Sequence, residues 1–346
     1  MYSLAPALVL LVLPAAAPPA AVDVQAERLA AQVVAKARGR VVRDTSRPGR
    51  PVVAVLFGPD SRVTDREAAA LKDFPSLRRL ELRFASVTDA GAAHLKRLGQ
   101  MRQLSLADTR ITDRGVAYLK GMVLLERLSL RETQVGDAGA AHLAGLKRLG
   151  VLDLSLTRVG DRGVEHLAGL TRLRILDLDK TAVTNRGAAH LAALTGLRRL
   201  SLARTRLTDA GAGVLAKLPE LESLSLAGAA VGDGAMPSVG KLTRLVDLDL
   251  AGTTVGDAGL ASLERLKQLR VLDLSRSRTT SQGLPRLAAL TGLVELTLAD
   301  TAVDDEGLIH LHRLKALRKL NLVGSHATRD GLDALKKALP RVKAFR

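Results

Sequence analysis

Leu149 to Arg172 reads LGVLDLSLTRVGDRGVEHLAGLTR, and with small changes the same 24 residues are written eleven times without a gap. The copies begin at Leu77, Met101, Leu125, Leu149, Leu173, Leu197, Leu221, Leu245, Leu269, Leu293 and Leu317, and a degenerate twelfth precedes them from about Val53 to Ser76. A chain of 346 residues would ordinarily suggest two domains, but stacked repeats share one continuous core, so the period predicts a single elongated body.

Within the quoted copy, the alternation of Leu152 and Leu154 places both on the inner side of a short strand, leaving Val151, Asp153 and Ser155 on the opposite face. Val159 turns back toward the core, and Val164, Leu167 and Leu170 make the buried stripe of a short helix. Thr157 belongs to a column with Thr109, Thr133, Thr181, Thr205, Thr253 and Thr301, read as a hydroxyl ladder running from repeat to repeat. Asp161 belongs to a column with Asp65, Asp89, Asp113, Asp137, Asp209, Asp233, Asp257 and Asp305, read as helix N-caps, with Asn185 and Ser281 substituting. Gly163 heads a glycine column in which the neighbouring repeat comes too close for a side chain. The expected fold is α/β: a right-handed solenoid with a parallel sheet on its concave face and short helices on its convex face.

The pattern LxxLxLxxTxVTDxGxxxLxxLxx, with a preceding helix and the lead-in RPGRPVVAV, resembles the long leucine-rich repeat proteins of bacteria. The GAAHL segments at Gly91, Gly139 and Gly187 are similar to GALA-type bacterial repeats, and the phrase VTDAG is similar to the repeats of eukaryotic F-box receptors. The resemblance covers residues 53 to 340. It implies a horseshoe scaffold that binds other molecules, with no family catalytic residue to carry over.

Residues 1–21, MYSLAPALVLLVLPAAAPPAA, contain no charged side chain and resemble a secretory signal, although no Lys or Arg precedes the apolar run. The run from Leu8 to Leu13 is shorter than the about 20 residues a membrane span needs. The expected location is therefore exported (periplasmic, cell-surface or secreted), and cytoplasmic if the segment is not a signal. Residues 22–52 read as a cap: a helix with Ala26, Leu29, Val33 and Ala37 on its buried side, ended by Gly39, then a hairpin turning at Pro48 and Gly49. A terminal repeat exposes the apolar surface its missing neighbour would cover, which is why a cap is needed. The repeats fill residues 53–340, and residues 341–346 close the far end, where Phe345 is placed to plug the core.

The chain has no cysteine, which removes disulfides, thiolate metal sites and cysteine nucleophiles, and its formal charge is +17. Arg outnumbers Lys 38 to 14, a bias that GC-rich coding also produces, so charge counts as a footprint only where it clusters. A phosphate-binding Gly-rich loop, HExxH and a nucleophile elbow are all missing, and the recurring VGDAG strings are turns, so no enzyme, cofactor or metal is expected. The histidine column His94, His142, His166, His190 and His310 makes a ladder of parallel side chains rather than a converging ligand set.

Specificity is expected where copies differ. The third and fifth repeat positions on the concave face differ in sign: Arg79, Arg127 and Arg199 in the former, Glu81, Asp153 and Asp177 in the latter. With Arg83, Phe84 and Arg131 alongside, these nine residues form the candidate site for a protein or peptide partner, Phe84 being the one concave aromatic. The alternative is a basic scaffold for an anionic polymer or surface, carried by Arg110 with Arg114, Arg158 with Arg162, and Lys336, Lys337, Arg341 and Lys343. Aromatic residues make up only 2% of the chain, which disfavours single-stranded nucleic acid and stacked sugars. Repeats 221–244 and 269–292, with Pro237 and Pro285, break the helical pattern and mark either a notch or sequence drift.

Overall fold

The computed structural model describes residues 23–346, so the signal-like segment lies outside the described residues. One sheet of 14 strands runs the length of the molecule in sequence order. It opens with β1 (Gly39–Arg43) and β2 (Val52–Phe57), which pair antiparallel as the expected hairpin. The repeat strands follow, β3 (Arg79–Leu82), β4 (Gln103–Ser105), β5 (Arg127–Ser129), β6 (Val151–Asp153), β7 (Ile175–Asp177) and β8 (Arg199–Ser201). The series ends with β9 (Ser223–Ser225), β10 (Asp247–Asp249), β11 (Val271–Asp273), β12 (Glu295–Thr297), β13 (Lys319–Asn321) and β14 (Lys343–Phe345). From β2 onward every pairing is parallel, and equivalent residues of successive repeats face each other, Leu128 beside Leu152 beside Leu176. The chain is thus an α/β leucine-rich repeat solenoid, with the sheet on one side and short α or 3-10 helices on the other.

The core is a column of side chains stacked at a 24-residue interval. Leu149, Leu152, Leu154, Val159, Val164, Leu167 and Leu170 are all fully buried. Because each repeat's apolar edge is covered only by its neighbours, cohesion is a sum of nearest-neighbour interfaces.

Two columns depart from the roles expected of them. The threonine hydroxyls do not bridge repeats: Thr157 Oγ1 donates to Leu154 O at 2.6 Å, and Thr133 to Leu130 O at 2.6 Å, closing a turn within the same repeat. A buried hydroxyl takes the first unpaired carbonyl behind it. The bridging ladder is made instead by the aspartates. Asp65 accepts the Thr88 amide at 2.7 Å, the Thr88 hydroxyl at 2.6 Å and the Gly91 amide at 3.0 Å, all from the next repeat. Each Asp is the first residue of its own helix, the N-cap being the preceding Thr or Gly, or Asp304 before Asp305, so its carboxylate serves the helix start of the following copy. The glycine column follows from this. A Cβ on Gly91 would sit 2.5 Å from Asp65 Oδ1, and one on Gly163 2.7 Å from Asp137 Oδ1.

The irregular copies keep the stack. Helices Met236–Val239 and Leu284–Leu287 carry Pro237 and Pro285 in their first turn, where a missing N–H costs little, and the sheet register through β9 to β12 is unbroken. Ser281 replaces the ladder aspartate by accepting the Asp304 amide at 2.9 Å.

The cap helix α1 (Val24–Lys36) turns a different face inward from the one expected. Glu27, Ala30, Val34 and Ala37 are buried, whereas Leu29 is 57% exposed. Glu27 sets the rotation: it binds Arg43 Nη1 at 2.5 Å and the Val52 amide at 3.1 Å, tying helix to hairpin. At the other end Phe345 does not plug the core, being 56% exposed; Leu339 and Val342 cover that end. Phe345 pairs in register with Asn321, which puts it on the concave face as a second aromatic there.

Candidate functional site: the concave sheet

The parallel strands bring equivalent side chains of adjacent repeats to about 4.8 Å from each other, so a site here is built from several repeats at once. Over β3 to β6, Arg79, Glu81, Gln103, Ser105, Arg127, Ser129, Val151 and Asp153 wall a depression of about 350 Å³. Its floor is the strand backbone at Leu80, Leu104 and Leu128, whose side chains point the other way, into the core. Four of the nine predicted residues therefore meet in one place. Arg79 is turned sideways, its guanidinium bonded to the Glu81 carboxylate two residues along the same strand. Arg127 is exposed and makes no side-chain hydrogen bond or ion pair among the described residues. Arg83 lies over the Phe84 ring with 5.3 Å to its centroid, both exposed where β3 ends.

Three predicted residues lie further along. Arg131 donates to Ser155 Oγ at 3.0 Å, and Ser155, expected on the open face, is fully buried beneath it. The serine folds back because its amide and hydroxyl both bond Asp153 Oδ1, at 3.0 and 2.6 Å. Asp177 stands between Asp153 and Asp179, and burial, then those two like charges, push its carboxyl up to about 6 against the pull of the Asp179 amide and Arg131. Burial also raises Asp249, with Asp273 and Asp247 adding repulsion. Arg199 is exposed on β8, five strand steps from Arg79 and on the order of 20–25 Å away, so the three predicted arginines do not make one cluster.

A second depression, of about 260 Å³, was not foreseen. It is lined by Arg131, Leu156, Asp179, Lys180, Ala203, Arg204, Ser225, Ala227 and Asp249, from the turns that leave the strands. Asp179 is its pivot, accepting the Ser201 hydroxyl and the Ala203 amide, the latter at 2.9 Å. The available signal was the seventh repeat position, where Arg83, Arg131 and Asp179 stand among small residues.

The remaining candidates disperse. His142, His166 and His310 are exposed and His94 and His190 half-buried along the convex side. Among the described residues no group of three or more His, Cys, Asp and Glu is placed to hold a metal, and no helix is long and apolar enough to cross a membrane.

Residues 164–345 match the family model described as leucine-rich repeat region, and residues 149–168 match a second leucine-rich repeat model. The first match spans more than half of the chain, which belongs to the leucine-rich repeat family. No curated protein matches it. Among solved structures it is similar to an internalin from Listeria monocytogenes, with a TM-score of 0.67 and 21% identity over 91% of this chain and 93% of that one. It is also similar to a leucine-rich repeat protein of Leptospira interrogans, with a TM-score of 0.65 and 19% identity over 80% of this chain and 74% of that one. At these identities the likeness is one of fold.

Proposed function

We propose that this chain is a non-catalytic scaffold that binds a protein or peptide through the N-terminal half of its concave sheet. The observation that carries the reading is the depression over β3 to β6. There the strand backbone at Leu80, Leu104 and Leu128 is ringed by hydrogen-bonding side chains with Val151 among them, and Arg127 stands at the rim with its guanidinium uncommitted. A shallow groove ringed by side-chain donors and acceptors suits the polar side chains of an extended peptide, and a free guanidinium suits a carboxylate of the partner. The acidic carboxylates around Asp177 give the next stretch of the groove the opposite preference, so the best ligand is an extended peptide with an acidic end toward β3 and a basic end over β6 and β7. We keep the reading of residues 1–21 as an export segment within this proposal.

Selection from a displayed peptide library on the full chain tests it. Enriched peptides carry Asp or Glu at one end and Lys or Arg at the other. Arg127→Glu weakens them at least tenfold with thermal unfolding unchanged, while Arg79→Glu, whose wild-type guanidinium is already paired, does less. Peptides indifferent to Arg127→Glu would move the site away from β5.

A further inference from the structure

The tenth and fourteenth repeat positions carry a charge pattern that the concave face does not use. Arginine pairs stand at Arg62 and Arg66, Arg110 and Arg114, and Arg158 and Arg162, each 48 residues after the last, and Arg206 follows at the same interval with Ala210 where a second arginine would stand. The copies between them hold Ser86 and Ala90, then Gln134 and Ala138, then Ala182, with Arg186 the one addition. Beyond Arg206 the alternation stops: Ala230, Thr254 and Ala302 fill the tenth position, Arg278 stands alone, and Glu306 and Asp330 appear at the fourteenth. A coding bias toward arginine would scatter it over exposed positions, not alternate it at two of them and end halfway.

All these arginine side chains are exposed, and among the described residues none is in an ion pair. The aspartates beside them in the chain are hydrogen-bonded to backbone: Asp113 accepts the Gly136 amide at 2.6 Å and Asp161 the Thr184 amide at 2.7 Å, both from the next repeat. Parallel bridges such as Thr88 with Arg110 and Thr184 with Arg206 run along this flank as a second, narrow ladder. Repeats therefore succeed one another here at the strand spacing, and the arginine pairs recur at about 10 Å. At its N-terminal end the row meets a cleft of about 460 Å³ lined by Lys36, Arg62, Arg66 and Glu67 with Val33, Ala37 and Ala70. Glu67 is already committed there, its carboxylate bonded to the Thr64 amide and hydroxyl at 3.0 and 2.6 Å.

We propose that this arginine row is a docking surface for an extended acidic polysaccharide that carries one anionic group per disaccharide. A guanidinium pair every 10 Å or so matches the rise of such a chain, and the planar fork of Arg binds a carboxylate through two parallel hydrogen bonds. Nucleic acid fits less well. Duplex phosphates come roughly every 3.4 Å along a strand, and single strands want stacking rings, whereas neither position holds a Phe, Tyr or Trp in any repeat. The surface lies on the flank, outside the concave groove, so it stands or falls separately from the peptide reading.

Binding of the full chain to a hyaluronan oligosaccharide, with one carboxylate per disaccharide, is measured beside a polygalacturonate oligosaccharide of equal charge and a single-stranded oligonucleotide. Hyaluronan is expected to bind tightest. Arg110→Ser with Arg158→Ser and Arg206→Ser should weaken it at least tenfold and flatten its salt dependence, while Arg127→Glu on the concave face leaves it unchanged. The decisive variant keeps the charge and moves one pair by one repeat: Arg110→Gln, Arg114→Ala, Gln134→Arg and Ala138→Arg. A tenfold loss supports the spacing. No saccharide binding, full affinity in the shifted variant, or tighter binding of the oligonucleotide or polygalacturonate would each overturn the proposal. All four substitutions exchange residues between equivalent exposed positions, and thermal unfolding verifies that the fold survives.

Discussion

Asp161 and Asp177 are sixteen residues apart, both stacked in columns of their own kind, yet their carboxyls shift in opposite directions. Burial alone would raise Asp161, but the Thr184 amide, the Thr184 hydroxyl and the Gly187 amide outweigh it and hold it below the usual aspartate range. Asp65, in the same column, is lowered in the same way by Thr88 and Gly91. On the concave face burial is joined by the like charges of Asp179 and Asp153, and Asp177 rises to about 6. The difference is one of donors. On the flank Asp161 meets two amides and a hydroxyl that begin the next helix; on the concave sheet Asp177 meets one amide, that of Asp179, and otherwise faces carboxylates. Repetition of a charge stabilises the solenoid where the backbone supplies its partner and strains it where only an external partner can.

The sharpest way to break that contrast is to empty the flank. Asp161→Ala leaves the Thr184 and Gly187 amides without their acceptor. Bonds to a charged acceptor contribute about 1.5–3 kcal/mol each, and stranded amides cost more than absent ones, so the loss is expected at about 2–4 kcal/mol by denaturant unfolding. Asp161→Asn should cost far less, because Asn185 already does the work, accepting the Thr208 amide at 2.9 Å and donating to its hydroxyl at 2.8 Å. The charged ladder also has a pH signature. A carboxyl with a depressed folded pKa contributes stability above its unfolded pKa and loses it as the pH falls through the folded value, so the Ala and wild-type curves should converge below about pH 4. An Asn variant as damaged as the Ala variant would refute the ladder.

The concave column should respond with the opposite sign. Asp177 has its folded pKa raised, so the protein is least burdened below about pH 4, where the group is protonated in both states, and carries the full penalty above about pH 6. Raising the carboxyl to about 6 costs at most about 3 kcal/mol at neutral pH, and solvent screening of this half-buried group reduces it. Asp177→Asn is therefore expected to raise stability by about 1–2 kcal/mol at pH 7.5 and by almost nothing at pH 4. Thermal unfolding at the two pH values decides it, and equal gains at both would assign the effect to packing instead of charge.

These two columns also show what could be read in advance. The leucine, valine and glycine positions were legible because packing demands one residue type at each, and Leu152 or Gly163 has no other explanation than a neighbour. The columns of Thr157 and Asp161 were equally visible, but a column states that a hydroxyl or a carboxylate is needed without stating whether its partner lies in the same copy or the next. That is set by the offset between strand and flank, which no single copy contains. In the candidate site the concave arginines could be named but not ranked. Arg79 has Glu81 on its own side of the strand and Arg127 has Ser129, a distinction the alternation of side chains already implied. Phe345 escaped because a closing segment reads equally well as a plug or as one more strand.

The smallest effect tests the turns that feed the second depression. The eighth repeat position is left-handed in each copy, with φ of 57° at Phe84, 54° at Glu132, 57° at Leu156 and 51° at Lys180, while Gly228, Gly252 and Gly324 hold it at 63°, 65° and 73°. Glycine holds it in only three of the eleven regular copies, so the sequence marks it weakly. The turn is enforced by the ladder: the Glu132 amide must reach Ser155 O at 2.9 Å, as the Gly252 amide reaches Ser275 O at 2.7 Å. A non-glycine residue pays about 1–2 kcal/mol for this conformation, and a glycine returns about 0.5–1 kcal/mol of that through the larger entropy of its unfolded chain. Glu132 is exposed, so Glu132→Gly removes strain without opening a hole in the core. A gain of up to about 1 kcal/mol is expected, with none for Glu132→Ala, which keeps the Cβ. If alanine stabilised as much as glycine, the gain would belong to the lost charge, and the left-handed column would cease to separate the turns from the strands they follow.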